Sequence, residues 1–265
     1  MKTALVTGAT RGLGAAIASA LAGAGWKVFG TGRNQGNSRE PFRLLGMDSR
    51  SDASVKAAVD EVLASEGRLD LLVACAGMGI AGPAEDSDME DVAAQMDVNF
   101  MGTVRIVKAC LPSMRSRGSG RIIVIGSLAG RTGMPFQAYY SASKFALEGF
   151  VESLRYELSP FGIEACIVEP GDFRTGFTQA RKKAESADSP YAERFARTIA
   201  IQENDERNGA DPALAARRIV SLAGCRKLPV RVSTGQLFQR AALFIKRMIP
   251  ASWFEFFYRI YYRLG

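Results

Sequence analysis

The chain has 265 residues, 47% of them hydrophobic and 23% charged, proportions that suit a soluble globular protein and exclude a disordered or low-complexity one. Its 34 basic and 27 acidic residues give a net charge of +7, but they are interleaved without the basic stripe expected of a nucleic-acid binder, so an anionic small molecule accounts for the excess as well. Histidine is absent, which removes histidine triads and histidine-ligated metals and leaves acid/base work near neutral pH to another side chain.

Four cysteines, Cys75, Cys110, Cys166 and Cys225, stand far apart in apolar surroundings. They read as small core residues, with no disulfide framework and no metal site, and a cytoplasmic location is expected. The opening MKTALVTGAT has too short an apolar run for a signal peptide.

From the N-terminus, short apolar runs (TALVTG, KVFGTG, LDLLVACAG, RIIVIGS, IEACIVEPG) each end in a glycine or a turn residue. Continuous rather than alternating apolarity predicts strands buried on both faces. Between them lie helix-length stretches such as LGAAIASALAGAG, SVKAAVDEVLASEG and FMGTVRIVKACLPSM, apolar at three- and four-residue spacing. This alternation predicts a parallel sheet with helices on both faces, joined by right-handed crossovers, with ligands beyond the carboxyl ends of the strands.

The first strand runs into TGATRGLG, which sets Gly8, Gly12 and Gly14 before an alanine-rich helix. Such a turn lets backbone N–H groups and a helix N-terminus approach a pyrophosphate, although a lone glycine pattern also serves ordinary turns. With the motifs below, this one resembles the short-chain dehydrogenase/reductase family over residues 2 to about 176. The resemblance implies a single-domain Rossmann-type α/β fold, a doubly wound parallel sheet with helices on both faces. It also implies that Thr10, Arg11 and Leu13 line the phosphate turn.

After the second strand, no acid stands near Thr31 to take a ribose hydroxyl, and Arg33 follows. A guanidinium there suits a 2′-phosphate, so NADP(H) is favoured over NAD(H); the alternative is that Arg33 is a solvated loop charge. By resemblance, Asp48 at the third strand contacts the adenine amino group. The triplet Cys75-Ala76-Gly77 stands where the family usually shows Asn-Ala-Gly; Ala76 and Gly77 keep the close backbone approach, and Cys75 gives up an amide.

Asn99 sits in a helical pattern where an apolar residue would serve better. It is either a side-chain-to-backbone bond at a helix bend or, by resemblance, part of a proton relay. Ser127 ends the fifth strand, and thirteen residues on come Tyr140 and then Lys144 in YYSASK. At about 100° per residue, Tyr140 and Lys144 are offset by about 40° and Tyr139 and Lys144 by about 140°, so Tyr140 is the tyrosine that shares a face with the lysine. A carbonyl receiving hydride needs a proton on oxygen, and an ammonium beside a phenol lowers its pKa. Tyr140 is therefore assigned as acid/base, Lys144 as its electrostatic tuner and ribose ligand, and Ser127 as the donor that orients the substrate oxygen.

The sixth strand ends in EPGDFRTGF, where Pro170 and Gly171 shape a turn; by resemblance Thr175 binds the nicotinamide carboxamide and directs pro-S hydride transfer. The stretch from Met134 to Leu158 is similar to the branch containing hydroxysteroid and retinol dehydrogenases, which implies a steroid-, retinoid- or lipid-like alcohol or carbonyl. Candidate pocket walls are the residues after Gly77, those between Ala129 and Tyr139, and a polar segment, 176–212, read as helical surface or a lid.

Residues 1–235 are expected to form the catalytic domain and 236–265 an amphipathic helical extension of it. In the extension Leu237, Ala241, Phe244, Ile245 and Met248 share a helical face, Pro250 interrupts, and Ser252 with Glu255 reads as a capping box. The extension either packs on the body or a second subunit, or lies on an anionic membrane. A homodimer or homotetramer is implied by resemblance. Together these readings describe an NADP(H)-dependent oxidoreductase of a hydrophobic substrate; the alternative from a different class is a non-catalytic NADP(H)-binding regulator.

Overall fold

A computed structural model describes residues 1–33, 41–184 and 188–264. Seven parallel strands form the central sheet: β1 (Thr3–Val6), β2 (Lys27–Gly32), β3 (Arg43–Gly46), β4 (Leu71–Ala74), β6 (Gly120–Ile125), β7 (Ile163–Pro170) and β9 (Arg231–Thr234), in the order β3-β2-β1-β4-β6-β7-β9. Two short strands, β5 (Ile80–Ala81) and β8 (Lys182–Lys183), pair separately above its carboxyl edge. The strand order reverses at β1, between β2 and β4, which opens the crevice where doubly wound sheets bind ligands.

Alternate residues of each strand face opposite layers, which is why the strands read as unbroken apolar runs. Leu5, Leu72 and Ile122 pack against helices α2 (Asp52–Glu66), α4 (Gly102–Ser116) and α5 (Ala138–Leu158). Ala4, Leu71 and Ile123 pack instead on α1 (Gly12–Gly23) and α8 (Pro212–Gly224). Each fully buried leucine or isoleucine contributes about 1.5–3 kcal/mol relative to exposure. Two layers of helix on one sheet therefore give a rigid platform for the turns at its carboxyl edge.

Sequence reasoning missed the edge strand β9: RVST is short and half-exposed, and its pairing with β7 is a non-local contact that no local pattern announces. Helix α3 (Met89–Met96) runs into α4 through a π-helical turn, Asp97–Met101, and that turn holds Asn99. The segment 176–212 is a folded cover in its described part, with α6 (Phe177–Ala180), β8 and α7 (Ala192–Arg207). Phe195, Thr198, Ile199 and Gln202 of α7 are buried. Residues 185–187 of that segment lie outside the described residues, as does Gly265 of the extension.

The chain ends in a helical hairpin, α9 (Leu237–Met248) and α10 (Ala251–Tyr261). The expected capping box does not form: Pro250 occupies the N-cap with no side-chain bond. Ser252 therefore stands inside the first turn, past the position from which it could cap.

Candidate active site

The phosphate turn is shaped by three glycines for three different reasons. Gly8 adopts φ +69°, and a Cβ on it would meet Ala76 Cα at 2.9 Å; Gly12 adopts φ +57°. A Cβ on Gly14 would lie 2.3 Å from the Gly8 carbonyl oxygen, so this helix start closes on its own turn only without a side chain. The hydroxyl of Thr7 accepts from the Cys75 and Ala76 N–H groups at 2.9 and 3.0 Å, tying the turn to the end of β4. The Cys75-Ala76-Gly77 approach survives there without the missing amide. Burial pushes the Cys75 thiol up to about 11, so it is an inert wall residue.

These glycines, with Thr10, Arg11, Leu13, Ala76 and Gly77, line one side of a cleft of about 950 Å³ at the carboxyl edge of the sheet, within the size range of a cofactor-and-ligand site. Arg33 and Asp48 lie toward its β2–β3 end; Ser127, Tyr140, Lys144, Pro170, Gly171 and Thr175 also line it. A dinucleotide fits this cradle, because its glycines are required by backbone proximity at the one place where a pyrophosphate would meet a helix N-terminus.

Asp48 is engaged by a neighbour that sequence reasoning missed. Arg50 donates to both Asp48 oxygens, with Nη2–Oδ2 at 2.7 Å, and this holds the carboxyl down at about 2. Arg50 lines the cleft together with Arg11 and Arg33, and Arg33 adds its charge to that of Arg50 at the Asp48 carboxylate.

The reacting side chains come from two elements. Ser127 follows β6, where its Oγ accepts from Ala129 N–H at 3.1 Å, and its hydroxyl is near enough to the phenol of Tyr140, in the first turn of α5, to favour the phenolate. Lys144, one turn on, is buried; it donates to the Ile125 carbonyl at 3.1 Å and stands 5.7 Å from the Tyr140 ring centre. Tyr140 and Lys144 both line the cleft, whereas the Tyr139 hydroxyl donates to Ala84 O at 3.0 Å, outside it.

Burial raises the Tyr140 phenol to about 12, against lowering contributions from Ser127 and Arg181, and burial lowers Lys144 to about 8. In both groups desolvation is the largest cause and favours the neutral form. The phenol is thus a firmly protonated donor at neutral pH.

Asn99 stands behind the cleft wall rather than in it. Its amide bridges the Met78 backbone, accepting from N–H at 2.8 Å and donating to O at 2.9 Å, and it donates to Ser143 Oγ at 3.1 Å. A Cβ on Gly77 would fall 3.4 Å from Asn99 Oδ1 and 3.9 Å from Lys144 Nζ, so the three residues converge. The bond at a helix bend is what the side chain makes, within a π turn of the kind often found at functional sites.

The remaining wall was only partly legible in the sequence. Phe177 of α6 packs 5.8 Å from the Tyr140 ring and carries the Arg181 guanidinium on its face, also at 5.8 Å. Arg181 pairs with Glu206 of α7, whose second oxygen accepts from Thr178 at 2.5 Å. Asp172, after the Pro170-Gly171 turn, is raised to about 6 chiefly by burial and is held by Gln239 of α9. Gly171 permits this, since a Cβ there would collide with Gln239 Oε1 at 2.2 Å. Above them, Phe254 stacks on Tyr258 at 5.2 Å, Tyr258 meets Tyr262 edge-to-face at 4.9 Å, and all three line the cleft. Among the described residues, no group of three or more acidic or thiol side chains could hold a metal ion.

Comparison with known proteins follows this geometry. Residues 2–186 match the short chain dehydrogenase family profile. The chain is 39% identical over 262 residues, 98% of its length and 97% of the relative's, to 3-ketodihydrosphingosine reductase of Bacteroides thetaiotaomicron. It is 42% identical over 191 residues to human 17-beta-hydroxysteroid dehydrogenase type 1, a match covering 66% of this chain and 58% of that one. A short-chain dehydrogenase structure from Streptomyces avermitilis superposes with a TM-score of 0.82 at 34% identity, covering 95% of both chains.

Proposed function

The chain belongs to the short-chain dehydrogenase/reductase family, and from that premise we propose that it is an NADP(H)-dependent enzyme interconverting a long, lipid-like alcohol and its carbonyl. The observation that carries this reading is a single continuous cleft. Its glycine-lined half ends at Ser127 and Tyr140, and its other half is walled by Phe177, Phe254, Tyr258 and Tyr262. The sphinganine-type ketone named for one relative and the steroid named for another are both bulky and apolar, and such a wall suits that class.

The chemistry follows from the donors. A reduced nicotinamide, when bound, supplies hydride to the substrate carbonyl. Ser127 orients the carbonyl oxygen, and the Tyr140 O–H delivers the proton as negative charge develops there. Lys144 holds its charge below the phenol, fixed by the Ile125 carbonyl, and is placed to take ribose hydroxyls. Asn99 positions the Met78 backbone beside it. Thr175 lies 3.5 Å from where a Cβ on Gly12 would be, and this closeness to the phosphate turn supports its assignment to the nicotinamide carboxamide.

Cofactor choice is assigned to Arg33, with Arg11 and Arg50 in support: guanidiniums bind a 2′-phosphate, and the carboxylate nearest them is already taken by Arg50. The test is NADPH and NADH consumption side by side over carbonyls of rising apolar length. Turnover with NADPH that improves with length supports the reading. Tight NADPH binding without any turnover would replace it with a regulator.

A further inference from the structure

The terminal hairpin has two unlike sides. At about 100° per residue, Gln239, Ala242, Leu243 and Lys246 of α9 fall together and face the body. There Gln239 holds Asp172, and Lys246 donates to Arg131 O at 2.6 Å. Opposite them, Leu237, Phe244, Ile245 and Met248 are 48–76% exposed. Helix α10 repeats the division: Phe254, Tyr258 and, just past its end, Tyr262 point inward, while Trp253, Phe256, Phe257 and Ile260 are 57–62% exposed. The packing expected from sequence is thus made by the inner face, and the apolar face singled out there looks outward.

So contiguous an apolar surface marks an interaction site. Residues 236–264 carry five basic side chains, Arg240, Lys246, Arg247, Arg259 and Arg263, against the single acid Glu255. On the α9 wheel, Arg240 and Arg247 border the exposed apolar arc. An apolar face edged with arginine is the pattern of helices that lie in a headgroup layer. No helix among the described residues is long and apolar enough to cross a membrane. A symmetric contact between two copies would instead bring these arginines face to face with one carboxylate each to offset them.

We propose that the outer face of α9 and α10 docks on an anionic phospholipid bilayer, with the aromatic and aliphatic side chains in the interfacial layer and the arginines against lipid phosphates. Phe238, Ile245 and Phe257 belong to both the exposed face and the cleft lining, so docking turns the mouth of the cleft toward the lipid. The docking goes beyond the proposed reaction and stands or falls without it.

The test is co-sedimentation with vesicles of phosphatidylcholine alone or mixed with phosphatidylglycerol, using the full chain and two variants, Phe244→Glu/Trp253→Glu and Arg240→Glu/Arg247→Glu. None of the four residues lines the cleft, and thermal melts verify that the variants fold. The wild type is expected on phosphatidylglycerol vesicles, bound at least about tenfold more tightly than the aromatic variant. The arginine variant is expected to lose the preference for the anionic vesicles. Wild type that remains in the supernatant with both vesicles overturns the proposal. So does equal binding by wild type and both variants, or a concentration-dependent dimer broken by the aromatic variant without vesicle binding.

Discussion

The two halves of the cleft are built by opposite means. The dinucleotide half is backbone: Gly8, Gly12 and Gly14 are fixed by collisions any Cβ would make or by positive φ, and the turn hangs from strands buried on both faces. The substrate half is side chain: Phe177, Arg181, Glu206 and three aromatic rings from the terminal hairpin come together from distant stretches of sequence. The first half is held by geometry that tolerates little change. The second is held by contacts that can be exchanged singly, which is how one scaffold accommodates different substrates.

The largest expected effect lies at the boundary between the halves. Tyr140→Phe removes the proton donor and should lower turnover by about a thousandfold with NADPH affinity unchanged by fluorescence titration, whereas Tyr139→Phe, which loses only the bond to Ala84, should turn over normally. The reverse result would mean that the register of α5 is misassigned. Within the substrate half, Arg181→Met leaves Glu206 without its buried partner and should cost about 3 kcal/mol in urea denaturation. Adding Glu206→Gln should recover part of that loss; no recovery would mean the pair is not what joins α6 to α7.

In the dinucleotide half, Arg33→Ala should raise the KM for NADPH about tenfold and leave that for NADH alone. An equal change in both would mean that Arg33 is only a solvated loop charge. The smallest expected effect is in pH dependence. Glu148, buried on α5 against Glu169 and near Arg131 and Arg231, is raised from 4.5 to about 7, first by burial. Its folded pKa lies above its unfolded one, so between those values the folded state binds the extra proton, and stability falls as pH rises through that window. Melting temperature should decline by a few degrees there, and Glu148→Gln should flatten the decline. Tyr140, raised to about 12, should keep carbonyl reduction level across neutral pH, while alcohol oxidation, which needs the phenolate, climbs toward alkaline pH.

The difference between the halves also explains what could be read in the sequence. The glycine turn, Ser127, Tyr140 and Lys144 were legible because a turn constraint and a four-residue helical offset are local. The sheet was legible because burial on both faces leaves continuous apolar runs. Strand β9 was not, since RVST has no such run. Arg50 escaped because its significance lies in closing on Asp48. The Arg181–Glu206 pair, 25 residues apart, and the Gln239–Asp172 clasp, 67 apart, depend on tertiary contact alone. Burial around Tyr140, which raises its phenol, was hidden for a related reason: adjacency to Lys144 is visible in sequence, but desolvation is not.

The central claim, that one cleft joins an NADP(H) cradle to an apolar carbonyl site, is tested most directly by following NADPH absorbance with a series of long-chain ketones of increasing length. The account expects kcat/KM to rise with chain length and to exceed the value with NADH. Saturable NADPH binding with no absorbance change for any ketone, aldehyde or, in the NADP+ direction, alcohol would contradict it.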